Sequence, residues 1–256
     1  MNRKMPALFL GHGSPMAVLQ PELSFNRNIR ALADTFPKPK TIVCISAHWY
    51  DGLQITGATQ PETIYDFYGF PDELYQVDYP AAGSPELAQT LKQLLGNQAV
   101  INPTRGLDHG AWAVLKMLYP DANIPVVQLG LDVRQSPQWH FDLARSLKPL
   151  REQGVLIVGS GNVVHNLRRM NPALVEGYDW ANAFREHINQ AIVARDDDAV
   201  IHYLQFGEAA RLSVPTNEHF LPLLYVLAQR EDDSRVEIFN DEMDLGSISM
   251  TSVIIS

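Results

Sequence analysis

Three of the eight histidines in this 256-residue chain follow apolar runs and lie among small residues. The runs read ALFLGHGSP, IVCISAHW and VLIVGSGNVVHN. They place His12 and His48 just past a buried strand, and His165 a few residues further on. A fourth histidine, His219, stands in TNEHFLPLLY, where a helix is expected to begin. Neutral imidazole is the commonest protein metal ligand. Open α/β sheets build their sites beyond the carboxyl ends of the strands. Together these features point to a metal enzyme.

Each histidine also has a plainer explanation. His12, between two glycines, can simply hydrogen-bond its own turn. His48 can be a core histidine donating to a carbonyl. His165 has Asn162 and Asn166 nearby, either of which can orient its ring. His219 falls in the first turn of its helix, where the positive end of the dipole disfavours a cation. A neutral, ligating ring tolerates that position. Glu218 is its rival, because adjacent helical residues point about 100° apart and only one of the two can face an ion. His109, in GLDHGAW, is either an acid or substrate donor in the site or an ordinary helix-start histidine. His140, His187 and His202 read as structural or solvated. The GSG turn fits neither GxGxxG nor GxxxxGK[ST]. Ser160 is not in a GxSxG elbow, which argues against a serine hydrolase.

The elements that must position these side chains can be read from periodicity and caps. Strands are expected at Ala7–Leu10, Thr41–Ala47, Val126–Leu131 and Val155–Gly159, with a short one near Leu53–Thr56. A terminal pair is expected from Val236–Phe239 and Ile248–Ile255. Helical spacing covers Ser24–Phe36. Ser84-Pro85 and Ser136-Pro137 each supply a cap followed by a proline at the first helical position. Pro149 is expected to disturb the end of the second of these helices. Asp179 would cap a helix running to about Arg195, and Thr216 or Asn217 one starting near His219. Val126–Leu131, a helix and Val155–Gly159 form a β–α–β unit, which implies a parallel pair. Residues 51–83 form a long insertion rich in Gly, Pro and aromatics, of a kind that often carries function. With no repeat and no linker, residues 1–256 read as one α/β domain. It would have three layers, a central mostly parallel (mixed) sheet between helices.

Bulk composition narrows the partners. Apolar residues make up 46% of the chain and the formal net charge is −9. An acidic chain without a basic stripe is not expected to bind nucleic acid or an anionic membrane. Cys44 is the only cysteine, so an intrachain disulfide and a cysteine zinc site are both excluded. The apolar part of MNRKMPALFL is too short for a signal peptide. No run reaches the roughly 18 apolar residues of a membrane span. A cytoplasmic enzyme is the expectation, and oligomeric state is not legible.

At GHGSP, SAHW, DHGAW, GNVVHN and EHFLPLLY the chain resembles the class III extradiol ring-cleaving dioxygenases, and within them the bacterial 4,5-DOPA branch. IYDFYGFP, YPAAGSP and the terminal GSISMTSV extend the likeness over nearly the whole chain. The resemblance implies a single-domain α/β fold with a non-haem Fe(II) site. His12 and His48 match the family's two histidine ligands, and His219 its third. His165 matches a histidine that is either acid/base or a further metal contact, notably with Zn(II), which can occupy such a site in purified protein. Distant relatives use a carboxylate as third ligand, which keeps Glu218 in play. The implied reaction joins a catechol and O2 and yields a muconic semialdehyde. In such a site His109 would be catalytic, as a donor to substrate or bound oxygen. Tyr65, Phe67, Tyr68 and Phe70 are candidates to wall the ring. Arg105, Arg168 and Arg169 are candidates to hold a substrate carboxylate. Two other readings use the same histidines. One is a zinc hydrolase with Glu218 or Asp108 as base. The other is a non-catalytic metal-binding protein.

Overall fold

Alternate residues of the central strands face opposite ways into two separate apolar cores, so each strand is sandwiched between helices. Phe9, Val43, Ile45, Val127 and Ile157 face one core. Leu8, Leu10, Ile42, Cys44, Leu156 and Val158 face the other. This double burial is why the strands read as unbroken apolar runs rather than alternating ones. The computed structural model describes residues 4–174 and 176–256. The first three residues of the amino-terminal stretch therefore lie outside it.

The strands are β1 Ala7–Gly11, β2 Thr41–Ser46, β3 Gln54–Thr56, β4 Val100–Asn102 and β5 Val126–Leu129. They continue with β6 Val155–Gly161, β7 Val236–Phe239, β8 Met243–Asp244, β9 Ile248–Ser249 and β10 Ser252–Ile255. The helices are α1 Ser24–Leu32, α2 Pro85–Leu95, α3 His109–Leu118, α4 Pro137–Ala144 and α5 Lys148–Glu152. After these come α6 Asp179–Ala194, α7 Asp197–Ile201, α8 Glu208–Ser213 and α9 Leu221–Leu227. Eight strands form one sheet in the order β4-β3-β5-β2-β6-β1-β10-β7, and β8 pairs with β9 apart from it. The central four are mutually parallel. Antiparallel pairings appear only toward the edges, between β3 and β5, β1 and β10, and β10 and β7. The fold is thus the expected α/β sandwich around a mixed sheet. Among the described residues no helix is long and apolar enough to cross a membrane.

Several local expectations are corrected. Strands β5 and β6 are parallel but not neighbours, because β2 lies between them. Helix α1 stops at Leu32, ahead of the predicted Phe36. Thr35 turns its amide and hydroxyl back onto the Leu32 carbonyl, and two prolines follow closely. The helix expected from Pro137 is broken into α4, a 3-10 turn and α5. The break falls where Pro149 cannot donate to the preceding turn. Ser84 and Ser136 cap as expected, accepting from Leu87 N and Trp139 N. Asp179 lies in the first turn of α6, with Tyr178 at the cap. Helix α9 begins two residues after His219. Thr216 does not cap it and instead donates its hydroxyl to Glu218.

At the end of the sheet away from the histidines, Arg151 ties three segments together. Its buried guanidinium donates to the carbonyls of Met5, Gln229 and Ile255. Removing it leaves three carbonyls short of a charged donor, each bond of that kind being worth about 1.5–3 kcal/mol. Arg151→Ala is expected to lower unfolding free energy by at least about 3 kcal/mol, as read by urea denaturation.

Candidate metal centre

Five histidines converge past the carboxyl ends of β1, β2 and β6. His12 follows β1 directly, and His48 stands two residues beyond β2. His109 opens α3, His165 follows β6, and His219 sits in the turn before α9. Nitrogens of His12, His48 and His219 lie within 4.8 Å of one another. Their ring centroids are 4.9–5.2 Å apart. The ring planes cross at 41°, 60° and 87°, so the three can point at a common centre.

Local backbone geometry brings them this close. The amide of Asn162 donates to the His219 carbonyl, and the His12 amide donates to the Gly161 carbonyl. The Asn162 side chain then donates to the carbonyls of His12 and Ser249. A Cβ at Gly161 would stand 2.2 Å from the His219 carbonyl oxygen, so only glycine permits this approach. Gly110 plays the same part under His48, where a Cβ would meet Ser46 Oγ at 2.5 Å and the imidazole at 2.7 Å.

Hydrogen bonding settles which nitrogens carry protons. Ser160 Oγ donates to the Gly110 carbonyl at 2.6 Å. The Ser160 oxygen therefore accepts from His12 Nδ1, 2.9 Å away. That leaves a bare lone pair on His12 Nε2. The Glu218 carboxylate accepts from His219 Nδ1 at 3.2 Å, which bares His219 Nε2. This nitrogen is buried and has no hydrogen-bond partner among the described residues. A buried acceptor without a partner is costly, and a cation is the partner that fits it. His48 Nε2 approaches His12 Nε2 to 3.2 Å. Burial pushes His12 and His219 well below the ordinary imidazole range, aided by their histidine neighbours. Burial and His109 push His48 down to about 3. All three are neutral at pH 7, the form that ligates metal.

His165 lies flat on His219, ring centroids 3.4 Å apart and planes within 7°. Burial pushes its imidazole down to about 4. Asn162 and Asn166 do not orient its ring. They bind backbone carbonyls instead, Asn166 that of Leu212. Glu218 stands behind His219, and within hydrogen-bond reach of Thr216. Asp108 is fully buried below His48, and its carboxylate is taken by Ser46, Gln128 and the Ala111 amide. Burial raises its pKa against those hydrogen bonds.

The remaining histidines fall elsewhere. His140 is buried between the Tyr225 hydroxyl and the Asp132 carbonyl, His187 stacks on Phe206, and His202 pairs with Asp198. Among the candidate aromatics, Phe67 reaches the edge of His109 at 5.5 Å. Tyr65 donates its hydroxyl to the Val77 carbonyl, and Tyr68 is 92% exposed. Arg105 stacks on Trp49 and faces Asp108, while Arg168 and Arg169 are exposed. Two site residues had no legible function in the sequence. Ser160, considered only as a nucleophile, fixes the tautomer of His12. Asp66 binds His109 from 43 residues away, a distance at which no sequence motif operates. Partners that orient a ligating ring typically carry about 10–100-fold in metal affinity. Ser160→Ala is expected to weaken Zn(II) binding by about that factor, measured by chelator competition, with the thermal midpoint little changed.

The comparisons with known proteins agree with this arrangement. Residues 6–254 match the family described as the catalytic LigB subunit of aromatic ring-opening dioxygenase. The 4,5-DOPA dioxygenase extradiol of Escherichia coli (strain K12) is 44% identical over 98% of this chain and 94% of its own. The protein of the same name from Beta vulgaris is 35% identical over 95% of this chain and 94% of its own. A crystal structure of an uncharacterized protein from Escherichia coli K12 superposes with a TM-score of 0.86 at 42% identity. It covers 99% of this chain and 100% of that one. With a match over nearly its full length and histidines gathered at the strand ends, the chain belongs to the LigB family of aromatic ring-opening dioxygenases.

Proposed function

We propose that this extradiol dioxygenase uses Fe(II) and O2 to open the ring of a catechol bearing an L-DOPA-like side chain, giving a muconic semialdehyde. The observation that carries the reading is the unpartnered, buried Nε2 of His219. It faces a cluster in which His12 and His48 are also neutral. His12, His48 and His219 would hold the ion. Ferrous iron supplies the electron exchange between catechol and oxygen that amino-acid side chains cannot.

The chain's own residues divide the remaining work. An imidazole lone pair lies in the plane of its ring. The parallel planes of His165 and His219 cannot both pass through one ion, which supports a proton-handling role for His165 over a fourth ligand. Because His165 is neutral, it can accept a catechol proton and return it. His109, with Nδ1 bound to Asp66, offers Nε2 to a substrate hydroxyl. Phe67, against the edge of His109, gives the flat ring an apolar wall. The zinc-hydrolase reading is less well supplied. Asp108 has no free oxygen to act as base, and Glu218 is engaged by Thr216 and His219.

The substituent of the substrate has a place beside the cluster. A cleft of about 810 Å³ is lined by Tyr50, Arg211, Thr216 and Glu218, among others. Glu218 thus borders both the cleft and His219. Arg211 makes no ion pair among the described residues, so its guanidinium is free for a carboxylate.

Protein loaded anaerobically with Fe(II) is expected to consume O2 when given L-DOPA and to form a yellow ring-opened product, while the Zn(II) form stays silent. Full iron occupancy without oxygen uptake on any catechol would overturn the reading. Arg211→Ala is expected to raise KM for L-DOPA about tenfold, the worth of one charge-assisted hydrogen bond. It should leave KM for 4-methylcatechol within about twofold, since that substrate makes no such bond. Steady-state oxygen uptake measures both.

A further inference from the structure

We propose that Asp66 is the positioning residue for His109, fixing the tautomer and direction in which that imidazole meets the substrate. The inference rests on the catechol-dioxygenase reading for its catalytic consequence, though not for its geometry. The loop carrying Asp66 is delivered to His109 by a short paired register. Thr63 bridges Leu107 in parallel. The Ile64 amide donates to the Leu107 carbonyl and the Leu107 amide to that of Glu62, both at 2.8 Å. Trp112, one turn into α3, donates its indole N–H to the Ile64 carbonyl at 2.9 Å. Asp66, two residues past Ile64, is thereby held against His109, two residues past Leu107.

One carboxylate oxygen, Asp66 Oδ1, then accepts twice from His109. The backbone amide donates at 2.9 Å and the ring Nδ1 at 2.8 Å. The first bond satisfies one of the free amides at the start of α3. Helix capping needs nothing more, and Asp108 already caps α3 through the Ala111 amide. The second bond does nothing for the helix. In the neutral ring it places the proton on Nδ1 and turns the lone pair to Nε2. The same bond prevents the ring from turning over. His48 lies against the other side of the ring at 3.9 Å between centroids, and Phe67 meets its edge at 5.5 Å. The imidazole is held by packing on two sides, but among the described residues only Asp66 decides which nitrogen carries the proton. The side chain of Asp66 is 24% exposed and lies in a loop, so its removal leaves both apolar cores intact.

The first readout is the tautomer of His109 in the metal-free protein, followed by 15N-histidine NMR. Wild type should show the Nδ1–H form, and Asp66→Ala a mixture of both forms. Asp66→Asn, whose amide oxygen can accept the same two bonds, should restore the wild-type signature. If Asp66→Ala does not fold, Asp66→Ser, too short to reach the ring, takes its place. The second readout is turnover of 4-methylcatechol by the Fe(II)-loaded enzyme. Asp66→Ala should lower kcat about 10–100-fold, as loss of a histidine's orienting partner does, with KM changed much less. Asp66→Ala/His109→Ala should be no slower than His109→Ala alone, because both changes remove one function. An unchanged His109 tautomer in Asp66→Ala, or losses that multiply in the double variant, would overturn the proposal. If wild-type enzyme opens no catechol, the functional reading fails, and the tautomer measurement alone still decides the role of Asp66.

Discussion

Five imidazoles gather at one end of the sheet, and burial holds four of them, His12, His48, His165 and His219, in the neutral form at pH 7. Desolvation and mutual repulsion both oppose protonation. Neutrality alone is not sufficient, because a neutral imidazole has one donor and one acceptor and the acceptor must face inward. The surroundings of the pocket meet that demand for three of the rings. Ser160 takes the outer proton of His12, Glu218 that of His219, and Asp66 that of His109. One acceptor is a hydroxyl and two are carboxylates, and each comes from a different part of the chain. What they share is a position on the far side of the ring from the centre.

The sheet supplies the reference frame for this arrangement. Parallel strands β1, β2 and β6 end at one level, so residues just beyond them share a surface regardless of their separation in sequence. Turns then have to bring bulky rings together without side-chain obstruction. Gly161 and Gly110 do so by letting a backbone pass where a Cβ would collide with the His219 carbonyl or the His48 ring. A methyl group at either position would displace a histidine while leaving the strands in place, so these glycines serve the site more than the fold.

The architecture and the gathering of His12, His48 and His219 were legible for a physical reason. Strands buried on both faces leave long apolar runs, and a histidine at the end of such a run has few places to go. His109 was legible as a helix start. Three things were not. The order β5-β2-β6 depends on which parallel strand slots between which, and no local pattern encodes that. The start of α9 was placed near His219 because Thr216 and Asn217 resemble caps. Thr216 instead spends its hydroxyl on Glu218, and the chain makes a further turn before the helix begins. Asp66 was hidden inside an aromatic segment whose pairing with residues near Leu107 is a tertiary event. The sequence reading thus found the ligand candidates and read Glu218 only as a rival ligand, but it missed the orienting roles of Ser160 and Asp66, which lie 148 and 43 residues from the histidines they bind.

A third histidine ligand would have an electrostatic consequence. Three neutral ligands leave a divalent ion with its full charge, whereas a two-histidine, one-carboxylate triad removes one unit. Glu218 lies one residue from the ligand position, but its carboxylate binds the outer nitrogen of His219. It therefore acts on the ion only through a ring. Near buried groups such as His12 and His219, uncompensated charge would be costly, and the missing anion would have to come from the substrate. A catechol that gives up its protons supplies it and a neutral alcohol does not. His165 is held neutral beside His219 and would be at hand to take one of those protons. A third histidine in place of a carboxylate would raise the site's demand for an anion, and a catecholate is the class of substrate that would meet it.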